Sequence, residues 1–93
     1  MRYEPAVERL ERLAFDVRGN GQTAAVAALG KIGTAAAREA ILRSVPAFGQ
    51  GHDFWLARAL AESGCESRFE EDKFRTRTYF YRLPGEEAWR PLR

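Results

Sequence analysis

The residues of this chain best suited to chemistry are cations and aromatic rings, and they crowd into its second half. Lys73, Arg75, Arg77 and Arg82 run through KFRTRTYFYRL with no acid between them, and Arg68 precedes them. Guanidinium forks fit phosphate oxygens and guanine edges. Upstream, Gln50, His52, Trp55 and Arg58 offer groups that read bases, Gln pairing with adenine and Arg with guanine. The rings of Phe69, Phe74, Tyr79, Phe80 and Tyr81 alternate along the same stretch, where Phe69 and Phe80 read as core. Tyr79 and Tyr81 read as surface rings, open to a protein partner or to stacking with single-stranded nucleic acid. A competing account pairs the cations at home: Arg58 with Glu62 four residues on, and the later arginines with Glu66, Glu70 or Glu71. It is weakest for Arg75 and Arg77, since like charges two apart on one strand face want an anion.

For catalysis the inventory is poor. His52 stands beside Asp53 without a further partner in sequence, Cys65 is the single cysteine, and no glycine-rich phosphate loop or repeated His/Cys spacing is present. The expectation is a protein that is not an enzyme, needs no cofactor and binds no metal. Cys65 reads as a small, partly buried thiol, and Glu70, Glu71 and Asp72 as a solvated turn that would repel phosphate.

Helices must position these groups. Pro5 opens a first helix with Ala6, Val7, Leu10, Leu13, Ala14 and Val17 on one face and Glu4, Glu8, Arg9, Glu11 and Arg12 mainly on the other. It ends at Gly19, Asn20 and Gly21. Thr23 caps a second helix, which Gly30 and Gly33 close. Thr34 caps a third, whose stripe is Ala37, Ile41, Leu42 and Val45, and which Pro46 ends. A loop over 47–51 leads to a fourth helix, from about Asp53 to Ser63. Its inner face is Phe54, Ala57, Leu60 and Ala61, with Leu56 close by, and its outer face carries Trp55, Arg58 and Glu62. Gly64 stops that helix. Strands over 65–69 and 74–83 follow, with Glu70 to Lys73 as the tip, then a short tail over 84–93 in which Trp89 caps the core.

The length of 93 residues makes one domain, since about 100–200 residues per domain is usual and no linker divides the chain. Its parts are N-terminal helices over 1–33, a helix-turn-helix with ribbon over 34–83, and the tail. The fold class is α+β, mainly α: four short helices followed by a two-stranded hairpin. The net charge of +2 does not announce a polyanionic partner by itself. Of the 15 basic residues only Lys31 and Lys73 are lysine, a bias that a GC-rich genome also produces. One cysteine, no signal-peptide pattern and no membrane-length apolar run indicate a cytoplasmic protein without a membrane role. Abundant alanine gives a small core, which a second copy could complete as a homodimer.

With this order of elements, FWLARALAESGCESRFEEDKFRTRTYFYRL resembles the recognition-helix end and wing of winged helix-turn-helix domains, as in small bacterial repressors. It is similar also to the C-terminal winged domains of phage and plasmid primase-helicases. The resemblance covers about residues 34–83. It implies that the fourth helix enters a DNA groove with Gln50, His52, Trp55 and Arg58, while Arg68, Lys73, Arg75 and Arg77 of the wing hold phosphates. The chain departs from that pattern in its longer turn, Pro46 to Gly51, and in its acidic tip. A second echo links AVAALGKIG to ARALAESG about 31 residues on, and resembles the helix ends of HEAT-like repeats.

Three functions are therefore in play. The first is a bacterial or phage nucleic-acid-binding protein, a transcription regulator or replication-associated module, with duplex DNA ahead of single-stranded as partner. The second is a non-enzymatic protein-interaction module of the phage inhibitor or adaptor kind, using Tyr79 and Tyr81. The third is a fragment of a HEAT-like helical scaffold.

Overall fold

The computed structural model describes residues 4–16 and 21–93, leaving aside the side chains of Glu4, Pro5 and Gln50. Four α-helices come first: α1 Glu4–Phe15, α2 Gln22–Ile32, α3 Ala35–Ser44 and α4 Asp53–Glu62. An antiparallel sheet follows, with strands β1 Glu66–Glu71, β2 Arg77–Arg82 and β3 Arg90–Pro91 in the order β1-β2-β3. The chain is thus α+β and mainly α, as its periodicity indicates. The third strand enlarges the expected two-stranded ribbon: Pro91 lies opposite Phe80, Arg90 opposite Tyr81, and Leu92 N–H donates to Tyr79 O at 2.9 Å.

The helices form two layers. α1 packs on α2 and α3, and α2 packs on α4. α2 and α4 run side by side in the same sense: Thr23, Ala27 and Lys31 line one side of a shallow groove, and Trp55, Arg58 and Glu62 the other. At their ends one nitrogen of Arg38 donates to Gly33 O at 3.0 Å and to Ser63 O at 2.8 Å. A cation at two helix C-termini satisfies carbonyls that have no intrahelical donor and opposes both dipoles. The echo between the segments ending at Gly33 and Gly64 therefore falls on two neighbouring helices. The sheet lies on the far side of α4.

What permits the close approach of α2 and α4 is Gly30. It is buried within α2, and a Cβ built on it would stand 2.7 Å from Ala59 O. Expected as part of a helix stop, Gly30 is instead a packing residue; the left-handed cap is Gly33 alone, at φ 70°. Thr23, expected as the α2 cap, lies inside the helix, whose N-cap is Gly21 with no side-chain bond. Gln22 uses its amide to donate to Ala14 O at 2.8 Å, tying α2 to the end of α1. Thr34 does cap α3, accepting from Ala37 N–H at 3.1 Å.

Leu29, Ile41, Leu56 and Leu60 are the centre of the core, with Val7, Ala14, Val26, Ala37 and Val45 around them. Leu10 and Leu42 pack against that cluster, while Leu13 opens to solvent. Val17, Gly19 and Asn20 lie outside the described residues. Glu11, expected on the outer face of α1, instead reaches α3, where two nitrogens of Arg43 donate to its two oxygens at 2.7 and 2.8 Å. That fork holds the Glu11 carboxyl below its usual range and the Arg43 guanidinium above its own. The expected loop over 47–51 is largely two 3-10 turns, Val45–Ala47 and Gln50–His52. Arg93 fastens them, donating to Asp53 Oδ1 at 2.7 Å and to Gly49 O at 2.9 Å.

Candidate functional site

Between α4 and the ribbon lies a cleft of about 530 Å³. α4 contributes Phe54, Ala57, Arg58 and Ala61, and the strands contribute Ser67, Arg68, Phe69, Arg77 and Tyr79. Phe54 and Ala61, expected inside, face this opening: Phe54 is 49% exposed, and the core side of α4 is Leu56, Ala57, Ala59 and Leu60. The ribbon stands off α4 enough to leave a groove along Phe54 to Ala61.

Strand register decides which rings line it. Phe69 pairs with Tyr79, Ser67 with Tyr81 and Glu71 with Arg77, so these six share the face toward α4. Tyr79 and Tyr81, expected at the surface, pack against the core. Phe80, expected in the core, is on the other face with Arg68, Arg82 and Trp89. Alternation puts Phe69, Tyr79 and Tyr81 on one face and Phe80 on the other, and docking of the ribbon on α4 decides which face meets the helices. Phe69 lies at the groove's rim, 49% exposed, with its ring 5.5 Å from that of Tyr79.

The cations are mostly spoken for. Arg77 donates to Glu71 at 3.1 Å and stacks on Phe69 at 4.6 Å; Tyr79 and Glu71 beside it hold its guanidinium above the ordinary arginine range. Arg58 lies 3.8 Å from Glu62 on its own helix, and Arg68 lies 3.7 Å from Glu70. On the outer sheet face Arg82 pairs with Glu66, and Arg68 and Arg82 both lie on the Trp89 ring at 4.9 and 4.7 Å. Trp89 is thus a partly buried plate held by arginines and not a core cap.

The ribbon's tip also differs from expectation. β1 continues through Glu71, so Glu70 and Glu71 are strand residues on opposite faces, and β2 starts only at Arg77. The turn is Asp72 to Thr76. Asp72 Oδ1 accepts from Phe74 N–H at 2.8 Å and Thr76 N–H at 3.0 Å, which bends the chain back on itself. Arg75 takes a left-handed φ of 64° in that turn and is not beside Arg77 on a strand face. Lys73, Phe74 and Arg75 therefore make the tip, with Phe74 77% exposed and Lys73 over its ring at 5.2 Å. Among the described residues no carboxylate forms an ion pair with Lys73 or Arg75.

The other sequence-derived candidates scatter. His52 is exposed, its ring 5.4 Å from that of the buried Phe48. Trp55 is 52% exposed against Phe54 and faces α2, away from the cleft. Gln50 lies in the 3-10 turn, and its side chain is outside the described part. Cys65 is buried and burial pushes its thiol pKa up, so it is a poor nucleophile. Among the described residues no cluster of His, Cys, Asp or Glu fits a metal, and no helix is long and apolar enough to cross a membrane. Arg38 and Gly30, the two residues that join α2 to α4, escape sequence reasoning because only the partner helix gives them their roles.

Fold and cleft together define four packed helices, with α2 beside α4, closed on one side by a small sheet. Residues 22–45, covering α2, α3 and the first residue of the turn after them, match the family described as PBS lyase HEAT-like repeat. The match takes in about a quarter of the chain. No curated protein and no solved structure matches the chain.

Proposed function

We propose that this chain is a non-enzymatic protein-interaction module, a HEAT-like helical stack whose cleft between α4 and the ribbon receives an apolar side chain of a partner protein. The observation that carries this reading is the pair of half-exposed rings, Phe54 and Phe69, on the walls of one cleft. An apolar opening of this kind, with arginines at its rim already matched by carboxylates, suits a side chain better than a phosphate. The HEAT-like match over α2 and α3 supports the same direction.

The test sets two ligands against each other. One is a peptide library presenting a leucine or aromatic side chain between neutral or acidic residues; the other is random-sequence duplex DNA at low salt. Protein-type binding predicts peptide affinity that changes little with salt and is lost in Phe54→Ala with Phe69→Ala. DNA affinity falling steeply with salt, without peptide binding, would overturn it.

A second reading, a winged-helix nucleic-acid binder acting in transcription or replication, is favoured by one feature. Lys73 and Arg75 flank an exposed Phe74 at the ribbon's tip, an apolar wedge between cations such as minor-groove binders use. On that reading Phe74→Ala weakens DNA binding, and Lys73→Ala with Arg75→Ala lowers its salt slope by about two units.

A further inference from the structure

The backbone edge of the sheet is open along β1, the strand whose Ser67, Arg68 and Phe69 side chains also line the cleft. β1 ends the sheet on one side, and all six of its residues are exposed. Tyr79 O accepts from Leu92 N–H on the β3 side. The Phe69 and Tyr79 pair is therefore of the non-hydrogen-bonded kind, and the N–H and C=O of Phe69 point to the open edge. By the two-residue repeat so do those of Ser67 and Glu71. The Asp72 N–H to Thr76 O bond at 3.1 Å falls on the inward set, as this parity requires.

A row of unpaired donors and acceptors is a template for another strand. We propose that the strand is β1 of a second copy of this chain, antiparallel and centred on Phe69, giving a two-fold dimer with one continuous six-stranded sheet. Charge selects both occupant and register. Only registers that place odd residues opposite odd ones satisfy the backbone. Centred on Phe69, Arg68 stands opposite the second copy's Glu70 and Glu70 opposite its Arg68, so the pair that these two make within one chain is exchanged for pairs between chains, while the two Phe69 rings meet. Ser67 and Glu71 then exchange backbone bonds with their counterparts, about six bonds in all with those at Phe69.

The neighbouring registers fail. Centred on Arg68, the two Arg68 guanidinium groups oppose each other and Glu66 opposes Glu70. Centred on Glu70, the two Glu70 carboxylates meet and Phe69 faces Glu71, and Arg68 faces an Asp72 whose Oδ1 is already held by two backbone N–H groups. In the favoured register the like-charge opposition is Glu66 with the second copy's Asp72, at the two ends. There Glu66 is held by Arg82, and Asp72 Oδ1 is held by two backbone N–H groups. The inference stands on the backbone edge of β1 and is tested without any ligand of the cleft, with which it shares the Phe69 ring.

Sedimentation of the full chain at rising concentration, with circular dichroism to verify folding, tests it. The wild type is expected to form a dimer. Ser67→Pro removes an outward N–H and no bond to β2, so it should weaken the dimer about tenfold or more while leaving the monomer folded. Arg68→Glu alone puts glutamate opposite glutamate, and Glu70→Arg alone puts arginine opposite arginine, so each should be monomeric. Mixed together these two variants should pair with one another, since each supplies what the other lacks, and the double variant should again self-associate. A wild type that stays monomeric at millimolar concentration overturns the proposal. So does a dimer indifferent to Ser67→Pro, or failure of the two single variants to pair.

Discussion

Replacing Gly30 with alanine pits helix propensity against close packing, and the geometry decides the sign. In an isolated helix the change is favourable by about 1 kcal/mol, because alanine loses less backbone freedom on folding. Here the new Cβ lands 2.7 Å from Ala59 O, 3.0 Å from Ala59 Cα and 3.2 Å from Ala59 C. Atoms of these kinds settle near 3.5–4.0 Å, so α2 and α4 must separate by several tenths of an ångström or more. The obstacle is main chain, and no trimming of the Ala59 side chain relieves it. α4 resists moving, since Leu56 and Leu60 on it are fully buried in the core. Overpacking of this kind costs about 1–3 kcal/mol. With the upper end appropriate to a backbone contact, the net destabilisation is about 2 kcal/mol. Urea titration followed by circular dichroism measures it as a lowered midpoint at unchanged slope. Gly49→Ala, with nothing within 4 Å of the added carbon, serves as control and should stay within about 0.5 kcal/mol. A Gly30→Ala protein as stable as the wild type, or more so, would refute the claim that this glycine sets the distance between the helices.

Arg38→Ala should destabilise by about 1.5–3 kcal/mol in the same titration, since one guanidinium satisfies the carbonyls closing both α2 and α4. Arg43→Ala should cost at most about 1 kcal/mol at pH 7, the pair being half-exposed on the arginine side. The Glu11 carboxyl titrates lower in the folded chain than in the unfolded one, so its contribution is present above the unfolded pKa of about 4.3 and disappears as pH falls through the folded value. Wild type and Arg43→Ala should therefore converge in stability at acid pH, and an undiminished gap there would contradict the pairing. Cys65 should react with an aromatic disulfide reagent slowly in buffer and rapidly in denaturant, because burial both shields the thiol and disfavours its thiolate; rapid labelling of the folded chain would show that the thiol is accessible.

By itself the sequence determined the local elements: four helices from their three- and four-residue apolar spacing, the Thr34 cap, the Gly33 and Gly64 stops, and a ribbon after Gly64. Those features depend on groups a few residues apart, whose geometry is nearly fixed once the backbone is helical or extended. The Arg58 and Glu62 pairing on α4 was legible for the same reason. Tertiary structure decided the rest. Phe54 and Phe69 became the walls of a cleft, and Tyr79 and Tyr81 turned inward while Phe80 turned out, because strand pairing and docking on α4 choose the face. Asp72 decided the tip by drawing two backbone N–H groups to one oxygen, which moved Glu70 and Glu71 into the strand and left Lys73 and Arg75 at the end. Gly30, Arg38 and Glu11 took their roles from a second helix that lies far away in the chain. Spacing along the chain reports which side chains share a face, but what that face meets depends on long-range packing, where a few tenths of an ångström at Gly30 separate one arrangement from another.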